Sequence, residues 1–159
     1  MVVPSGLAEI KDCYGDPFEG GLPTVEEPEG WRSKILTTIQ LPETLPLSWD
    51  LSVNVSRISC HKVIAYQLSA ILREIMEEGL WPRLRSYGGC YCWRATRGGT
   101  RLSTHSWGIA VDFAVATNQL GTPGDMDRGI VEIFEAAGWT WGGRWGRPDP
   151  MHFAAARDY

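Results

Sequence analysis

Two segments of the chain contain residue types that bind transition metals. The first, 103–113, reads STHSWGIAVDF and contains His105 and Asp112. The second, 141–153, reads WGGRWGRPDPMHF and contains His152. Asp112 lies in an otherwise apolar run, and a buried carboxylate is costly unless a cation pairs with it. Because that run has no Lys or Arg, a metal ion held by these three side chains would satisfy the charge.

Two imidazoles and one carboxylate form an incomplete ligand set. Structural zinc sites are usually closed by four protein ligands, whereas catalytic sites keep a position for water. Asp149 stands three residues before His152, in a turn stiffened by Pro148 and Pro150. A carboxylate beside a metal-bound water can act as the general base that takes a proton from this water in a metal-dependent hydrolysis. The alternative is an Asp that only caps the turn, which is common beside proline.

Helices and strands alternate in a way that would position these segments. A helix is predicted over about 59–78, capped by Ser56 or Ser59, with one apolar stripe and an end at Gly79. His61, near its start, is expected to be a surface or core histidine whose ring nitrogens are hydrogen-bonded, and not a metal ligand. A second helix is predicted over about 125–137, and short strands over 90–94, 108–115, 140–142 and 151–155. This order predicts an α+β fold, with helices packed on a small antiparallel sheet.

The length of 159 residues predicts a single domain. Residues 1–46 hold six of the ten prolines and are expected to form an irregular extension with a short helix near its start, wrapped around a core of 47–159. The four cysteines form no C-x-x-C pair, so buried, reduced thiols are expected. A second, structural metal at Cys60, Cys90 and Cys92 is the alternative.

The charge of the chain limits its partners. The formal net charge of −4 gives no strong attraction to nucleic acid or to an anionic membrane. No apolar run is long enough to span a membrane, and the N-terminus does not resemble a secretory signal, so synthesis in the cytoplasm is expected.

The basic run from Arg83 to Arg101 is either a solvated face or a cationic wall for an acidic substrate. The eight Trp residues are explained either by core packing or, for at least one of them, by the lining of a binding cleft.

The two metal-binding segments resemble a known family. The pattern Ser-x-His-x-x-Gly-x-Ala-x-Asp-Phe, followed by Trp-Gly-Gly and Asp-x-x-His-Phe, is similar to that of the zinc D-Ala-D-Ala carboxypeptidases of peptidase family M15. That family also includes L-alanyl-D-glutamate endopeptidases of phages and bacteria. The likeness covers about 50–159, and upstream GGCYCWR at 88–94 is similar to the family strand that presents an arginine. The resemblance implies a fold like that of these peptidases and of hedgehog signalling domains.

The resemblance also implies a role for individual residues. His105, Asp112 and His152 would bind one Zn²⁺, and Asp149 would be the general base. Arg94 would match the arginine that stabilises the substrate carbonyl, although Arg97 and Arg101 lie close enough in sequence to take that role. The site would be supported, or the substrate contacted, by Ser103, Trp107 and Trp141.

Four interpretations follow from this pattern. Aspartate at 149, where the carboxypeptidase branch often has glutamate, favours an endolysin-type L-alanyl-D-glutamate endopeptidase. A D-Ala-D-Ala carboxypeptidase is the alternative, and a non-catalytic zinc-bearing binding domain is one of another class. The least favoured is a stable domain whose His and Asp are only structural. The expected peptidase is a monomer that acts on peptidoglycan stem peptides in the cell wall, after release through a phage pore.

Overall fold

The computed structural model describes residues 2–159. Its helices are α1 (Gly6–Tyr14), α2 (Trp31–Ile35), α3 (Ala65–Glu77) and α4 (Arg128–Ala136). Its strands are β1 (Leu36–Leu47), β2 (Asp50–His61), β3 (Tyr87–Gly89), β4 (Ala110–Phe113), β5 (Thr140–Trp141) and β6 (His152–Ala154). Short 3₁₀ turns cover Trp81–Leu84, Thr104–Trp107, Val115–Thr117 and Gly142–Arg144. No helix within residues 2–159 is both long and apolar enough to cross a membrane.

All six strands form one sheet in the order β2-β1-β3-β4-β6-β5. Most neighbours are antiparallel, but β1 and β3 run parallel where Leu47 pairs with Tyr87. The α+β class is therefore confirmed, with a mixed rather than a purely antiparallel sheet. Strands β4 and β6, which carry two of the predicted ligands, are neighbours in this sheet. Asp112 of β4 pairs directly with His152 of β6.

The predicted apolar stripes of both helices face the core. In α3 the buried side chains are Leu68, Ile71, Leu72 and Ile75, and in α4 they are Ile130, Val131 and Phe134. Phe134 stacks on Phe153 of β6, with ring centroids 4.2 Å apart. Such aromatic pairs contribute about 1 kcal/mol beyond the area they bury. Helix α4 thus fixes the strand that presents His152.

The predicted start of the long helix is wrong. Residues 59–61 end strand β2, where Ser59, Cys60 and His61 pair with β1, and the helix begins only at Ala65. Its N-terminus has no side-chain cap, so neither predicted serine caps it. The predicted end is correct, because Gly79 follows the last turn and donates to Met76 O. Strand pairing satisfies the backbone groups that a helix over 59–64 would have used.

The predicted strand over 90–94 is also wrong. Strand β3 ends at Gly89, and the backbone that follows bonds instead to the turn that carries His105. Cys92 N donates to His105 O at 3.1 Å, and Ser103 N donates to Arg94 O at 2.9 Å. Cys90 is consequently buried and Cys92 exposed, whereas in a strand these two residues would lie on the same face of the sheet.

The N-terminal segment is more regular than expected. The short helix near its start is α1, but residues 36–46 belong to β1 and so to the sheet. The pairing of β1 with β2 shifts between Gln40 and Leu45, around Pro42, which has no N–H for a ladder bond. Ahead of β1 the segment lies against the core, where Tyr14 is 2% exposed and its hydroxyl donates to Ala155 O at 2.8 Å.

Candidate metal centre

The three predicted ligands meet at one point of the sheet. His152 Nδ1 lies 3.0 Å from Asp112 Oδ1, across the β4–β6 pair. His105 Nε2 lies 3.2 Å from the same carboxylate oxygen and 3.2 Å from His152 Nδ1. Among the groups of His, Cys, Asp and Glu within residues 2–159, this is the one whose ligand atoms converge, all within 4.8 Å. Cys60, Cys90 and Cys92 form no such group there.

Hydrogen bonds fix which nitrogen of His105 faces the other ligands. His105 Nδ1 lies 2.7 Å from Cys90 O, and a carbonyl can only accept, so Nδ1 carries the proton. A neutral His105 therefore turns the lone pair of Nε2 toward Asp112 and His152. Three electron-rich atoms then lie within about 3 Å of one another, an arrangement that a cation stabilises. The residues present fit a transition metal.

The turn before β4 holds His105 in place. Ser103 begins this 3₁₀ turn, and its hydroxyl accepts from His105 N at 3.3 Å. Gly108 ends the turn at φ +65°, and its carbonyl accepts from His61 N at 2.8 Å. This left-handed backbone favours glycine, and a Cβ at this position would also lie 3.1 Å from the backbone nitrogen of His61.

Asp112 is almost enclosed, with 13% of its side chain exposed. Burial alone would raise its pKa, but His105 and His152, when they are protonated, donate hydrogen bonds and positive charge that outweigh burial and hold the pKa of this carboxyl well below its usual range. A metal cation beside neutral histidines would favour the ionised carboxylate in the same way. Gly88 of β3 leaves the room that Asp112 needs, because a Cβ there would lie 2.9 Å from Asp112 Cβ and 2.5 Å from Val115 Cγ2. The site therefore presents an ionised carboxylate to a metal.

Asp149 is half-buried beside the three ligands. Its backbone is fixed on both sides, because Asp149 N donates to Gly142 O at 2.9 Å and His152 N donates to Asp149 O at 3.0 Å. Its side-chain Oδ1 is buried without a hydrogen-bond partner in residues 2–159. Burial raises the pKa of Asp149, partly offset by the charges of His152 and Arg97. A carboxylate with a raised pKa and a free oxygen is suited to accepting a proton.

A cavity of about 820 Å³ opens over His152 and Asp149. Arg94, Arg97 and Arg101 all line it, so the structure brings the three arginine candidates to one wall. Arg94 is the most constrained in its backbone, because its N–H donates to Ser106 Oγ at 3.1 Å and its carbonyl accepts from Ser103 N. The basic run of the sequence is therefore in part a cavity wall, as one of the two interpretations predicted.

Neither Trp107 nor Trp141 lines the cavity. Trp107 is fully buried and its indole N–H donates to Gly15 O at 2.9 Å, so it packs the core and cannot contact a substrate in this cavity. Trp141 donates to Pro150 O at 2.8 Å and so supports the turn between Asp149 and His152, outside the cavity lining. Trp145 is the residue that the sequence analysis missed. It is 38% exposed, lines the cavity, and lies 5.3 Å from His152 between ring centroids. Trp145 could have been found from the sequence, because it stands four residues before Asp149, close to the turn stiffened by Pro148 and Pro150.

The comparison with protein families agrees with this site. Residues 97–155 match the model of the family described as D-alanyl-D-alanine carboxypeptidase. The matched segment contains His105, Asp112, Asp149 and His152, whereas Arg94 lies just outside it. Comparison with curated proteins and with solved structures gave no significant match.

Proposed function

Starting from residues 97–155, which match the D-alanyl-D-alanine carboxypeptidase family and so support a peptidase, we propose a zinc-dependent enzyme that hydrolyses a peptide bond in peptidoglycan stem peptides. One observation supports it most strongly. Three ligand atoms, from His105, Asp112 and His152, converge beside the unpartnered carboxylate oxygen of Asp149. A purely structural histidine pair would not require a second, unsatisfied carboxylate at its side.

His105, Asp112 and His152 would hold the zinc ion. Bound there, zinc would act as a Lewis acid, lowering the pKa of a water ligand and polarising a substrate carbonyl. The hydrogen bond from His105 Nδ1 to Cys90 O keeps that ring oriented toward the ion. His152 Nε2 lies 3.3 Å from Thr104 Oγ1, which serves the same purpose for the third ligand.

Asp149 is the general base of the proposed reaction. Its raised pKa makes it a better proton acceptor than an exposed carboxylate. The proton that Asp149 takes from the attacking water is then passed to the amine of the departing residue. Asp149 therefore faces the leaving-group side of the scissile bond.

Arg94 stabilises the carbonyl oxygen of the scissile bond as negative charge builds on it. A donor fixed at that position is typically worth about 3 kcal/mol of transition-state stabilisation. The backbone bonds of Arg94 to residues 103–106 tie it to the turn that carries His105. Arg97 and Arg101, on the same wall, are the alternatives.

The bond between L-alanine and D-glutamate is the proposed target, in an endolysin-type enzyme that acts as a monomer on the cell wall. Aspartate at position 149, in place of glutamate, favours this endopeptidase activity. A D-Ala-D-Ala carboxypeptidase is the second candidate, because the arginine-lined cavity could also bind a terminal carboxylate.

Mass spectrometry of digested peptidoglycan and soluble stem peptides tests the proposal. The zinc-loaded protein should release peptides with a new D-glutamate amino terminus, and Asp149→Asn, loaded with zinc in the same way, should not. Loss of one terminal alanine would instead support the carboxypeptidase. No cleavage by a protein that has bound zinc would contradict both enzymes and favour a non-catalytic binding domain.

A further inference from the structure

The arginines of this chain fall into two groups that differ in their pairing. Five of the seven arginines outside the 820 Å³ cavity have a carboxylate within 4.0 Å, namely Arg32, Arg83, Arg85, Arg128 and Arg144. None of the five that line the cavity has one among residues 2–159, namely Arg94, Arg97, Arg101, Arg147 and Arg157. A chain with a net charge of −4 has enough acidic residues to pair them. The cavity therefore holds positive charge that the fold itself leaves free.

Two acidic side chains, Asp149 and Asp158, line the same cavity within the described residues, against five arginines. Asp158 lies at the rim, where its carboxylate accepts from Ser5 Oγ at 2.6 Å. Asp149 belongs to the metal centre. A concave surface lined by one sign of charge concentrates ligands of the opposite sign. The cavity thus favours an anionic ligand next to the candidate metal centre.

Arg147 occupies a particular place in this wall. Its guanidinium lies between two loops at positions where both loops have glycine. A Cβ at Gly98 would lie 4.0 Å from Arg147 Nη1 and one at Gly121 would lie 3.9 Å from its Nε, and the Arg147 side chain is exposed. The loop with Gly121 is tied to the segment of Arg147, because Gly121 N donates to Pro148 O at 2.6 Å. The guanidinium is therefore both accessible and attached to a fixed backbone.

The position of Arg147 relates it to one side of the scissile bond. Arg147 stands two residues before Asp149, and Asp149 faces the leaving amine in the proposed reaction. In an α-amino acid the amine and the α-carboxylate are attached to the same carbon. A D-glutamate linked onward through its side-chain carboxyl keeps that α-carboxylate free. Because Arg147 and Asp149 line the same cavity, a substrate whose amine meets Asp149 can present this carboxylate to the guanidinium of Arg147, and guanidinium binds carboxylate through two parallel hydrogen bonds.

Building on the proposed function, we propose that Arg147, assisted by Arg97, binds the free α-carboxylate of the residue that provides the leaving amine. Arg147 is then a specificity-determining residue, and the enzyme selects stem peptides in which this carboxylate is not amidated. Arg94 keeps its separate role at the scissile carbonyl.

Two stem peptides that differ only at this group test the proposal. One has the D-glutamate α-carboxylate and the other the α-carboxamide. We expect the zinc-loaded protein to cleave the acid with a kcat/KM roughly tenfold above that of the amide, mainly through KM. Arg147→Gln should lower kcat/KM for the acid to about that for the amide, so that the preference disappears, and Arg147→Lys should restore part of it. Arg128→Gln, an exposed arginine outside the cavity, should behave like the unaltered protein.

Binding provides a measurement that does not depend on turnover. The same two peptides, with the scissile NH replaced by CH₂, are titrated calorimetrically into the protein and into Arg147→Gln. Tighter binding of the acid than of the amide, lost in Arg147→Gln, would support the subsite. If neither natural peptide were cleaved in that case, the proposed function would be wrong while the subsite would still stand. Equal affinity for acid and amide in the unaltered protein, or an unchanged preference in Arg147→Gln, would overturn the subsite whether or not cleavage occurs.

Discussion

Asp112 and His152 lie directly opposite each other on neighbouring strands, and His152 Nδ1 is 3.0 Å from Asp112 Oδ1. Two of the three proposed ligands are thus positioned by one antiparallel register. A slip of one residue would turn one side chain to the other face of the sheet and destroy the site. The packing of Phe134 on Phe153 prevents such a slip, because it fixes the residue after His152.

Replacement of Asp112 by Ala should remove the metal. The two remaining imidazoles would bind zinc at least about a hundredfold more weakly, since even loss of an outer hydrogen bond to a ligand costs 10–100-fold. The measurement is zinc content after dialysis, together with the rise in Tm on adding zinc. Glu132→Ala, on the exposed face of α4, is the control. A full equivalent of zinc in Asp112→Ala would remove Asp112 from the ligand set.

Replacement of Asp149 by Asn should separate metal binding from turnover. The carboxamide keeps the shape of the side chain but cannot accept the proton, so zinc content should stay at one equivalent while kcat falls about a hundredfold or more. Zinc content and single-turnover cleavage are measured on the same sample. Cleavage near the rate of the unaltered protein would show that another group is the base.

Replacement of Arg94 by Ala should lower kcat about a hundredfold, the usual cost of losing a donor to the developing oxyanion. Arg97→Ala and Arg101→Ala are matched variants on the same wall and should change kcat much less. The comparison is made at saturating substrate. If one of these two variants shows the large loss instead, that arginine is the donor.

Replacement of Gly88 by Ala should destabilise the protein by about 1–3 kcal/mol, the usual cost of overpacking. The added methyl group would meet Asp112 Cβ and Val115 Cγ2, so zinc affinity should fall as well. Gly146→Ala is the matched control, because a Cβ there has no neighbour within 4 Å. Urea unfolding and a zinc titration of both variants test this, and equal stability of the two would contradict the close approach of β3 to β4.

The stability of the protein should fall as the pH drops below about 6.5, in part through His61. This side chain is 2% exposed, Val63 N donates to its Nδ1, and its Nε2 donates to Tyr14 O. Burial, aided by the charge of Lys62, lowers its pKa from 6.5. The folded state therefore takes up the proton less readily than the unfolded chain, and the stabilisation present above pH 6.5 is lost as the pH falls through the folded-state pKa.

His61→Gln tests this pH dependence. Glutamine can still donate to Tyr14 O but does not titrate. The free energy of unfolding, measured between pH 7 and pH 5, should depend less steeply on pH in this variant. Since His105 and His152 are present in both proteins, the difference between the slopes isolates His61. Identical slopes would contradict a lowered pKa.

The sequence predicted the convergence of His105, Asp112 and His152 better than the sheet around them. A carboxylate within the apolar run 109–115 and a histidine at the start of another strand are strong local signals, and β4 and β6 have the predicted type. Helix α4 was equally clear, because its apolar positions recur every three or four residues and Gly138 follows it. In each case the local pattern and the burial in the fold agree.

The hairpin of β1 and β2 could not be recognised in the same way. Strand β2 lies at the edge of the sheet and most of its residues are exposed, so it lacks the alternation of apolar and polar residues that indicates a strand. Pro42 and Pro46 lie within β1 and indicated irregular structure. The burial of Trp107 was likewise not predictable, because it depends on contact with the distant Gly15.

The turn that carries His105 depends on residues far outside the segment that matches the family. Trp31 donates from its indole N–H to Ser106 O at 2.9 Å, and Trp107 donates to Gly15 O at 2.9 Å. A fragment that began near residue 97 would lose both bonds and expose the Trp107 ring to water. The matched segment is therefore not a transplantable module. A chimera that exchanges this segment with that of another protein matching the family would keep His105 in place only if the residues around 15 and 31 were exchanged with it.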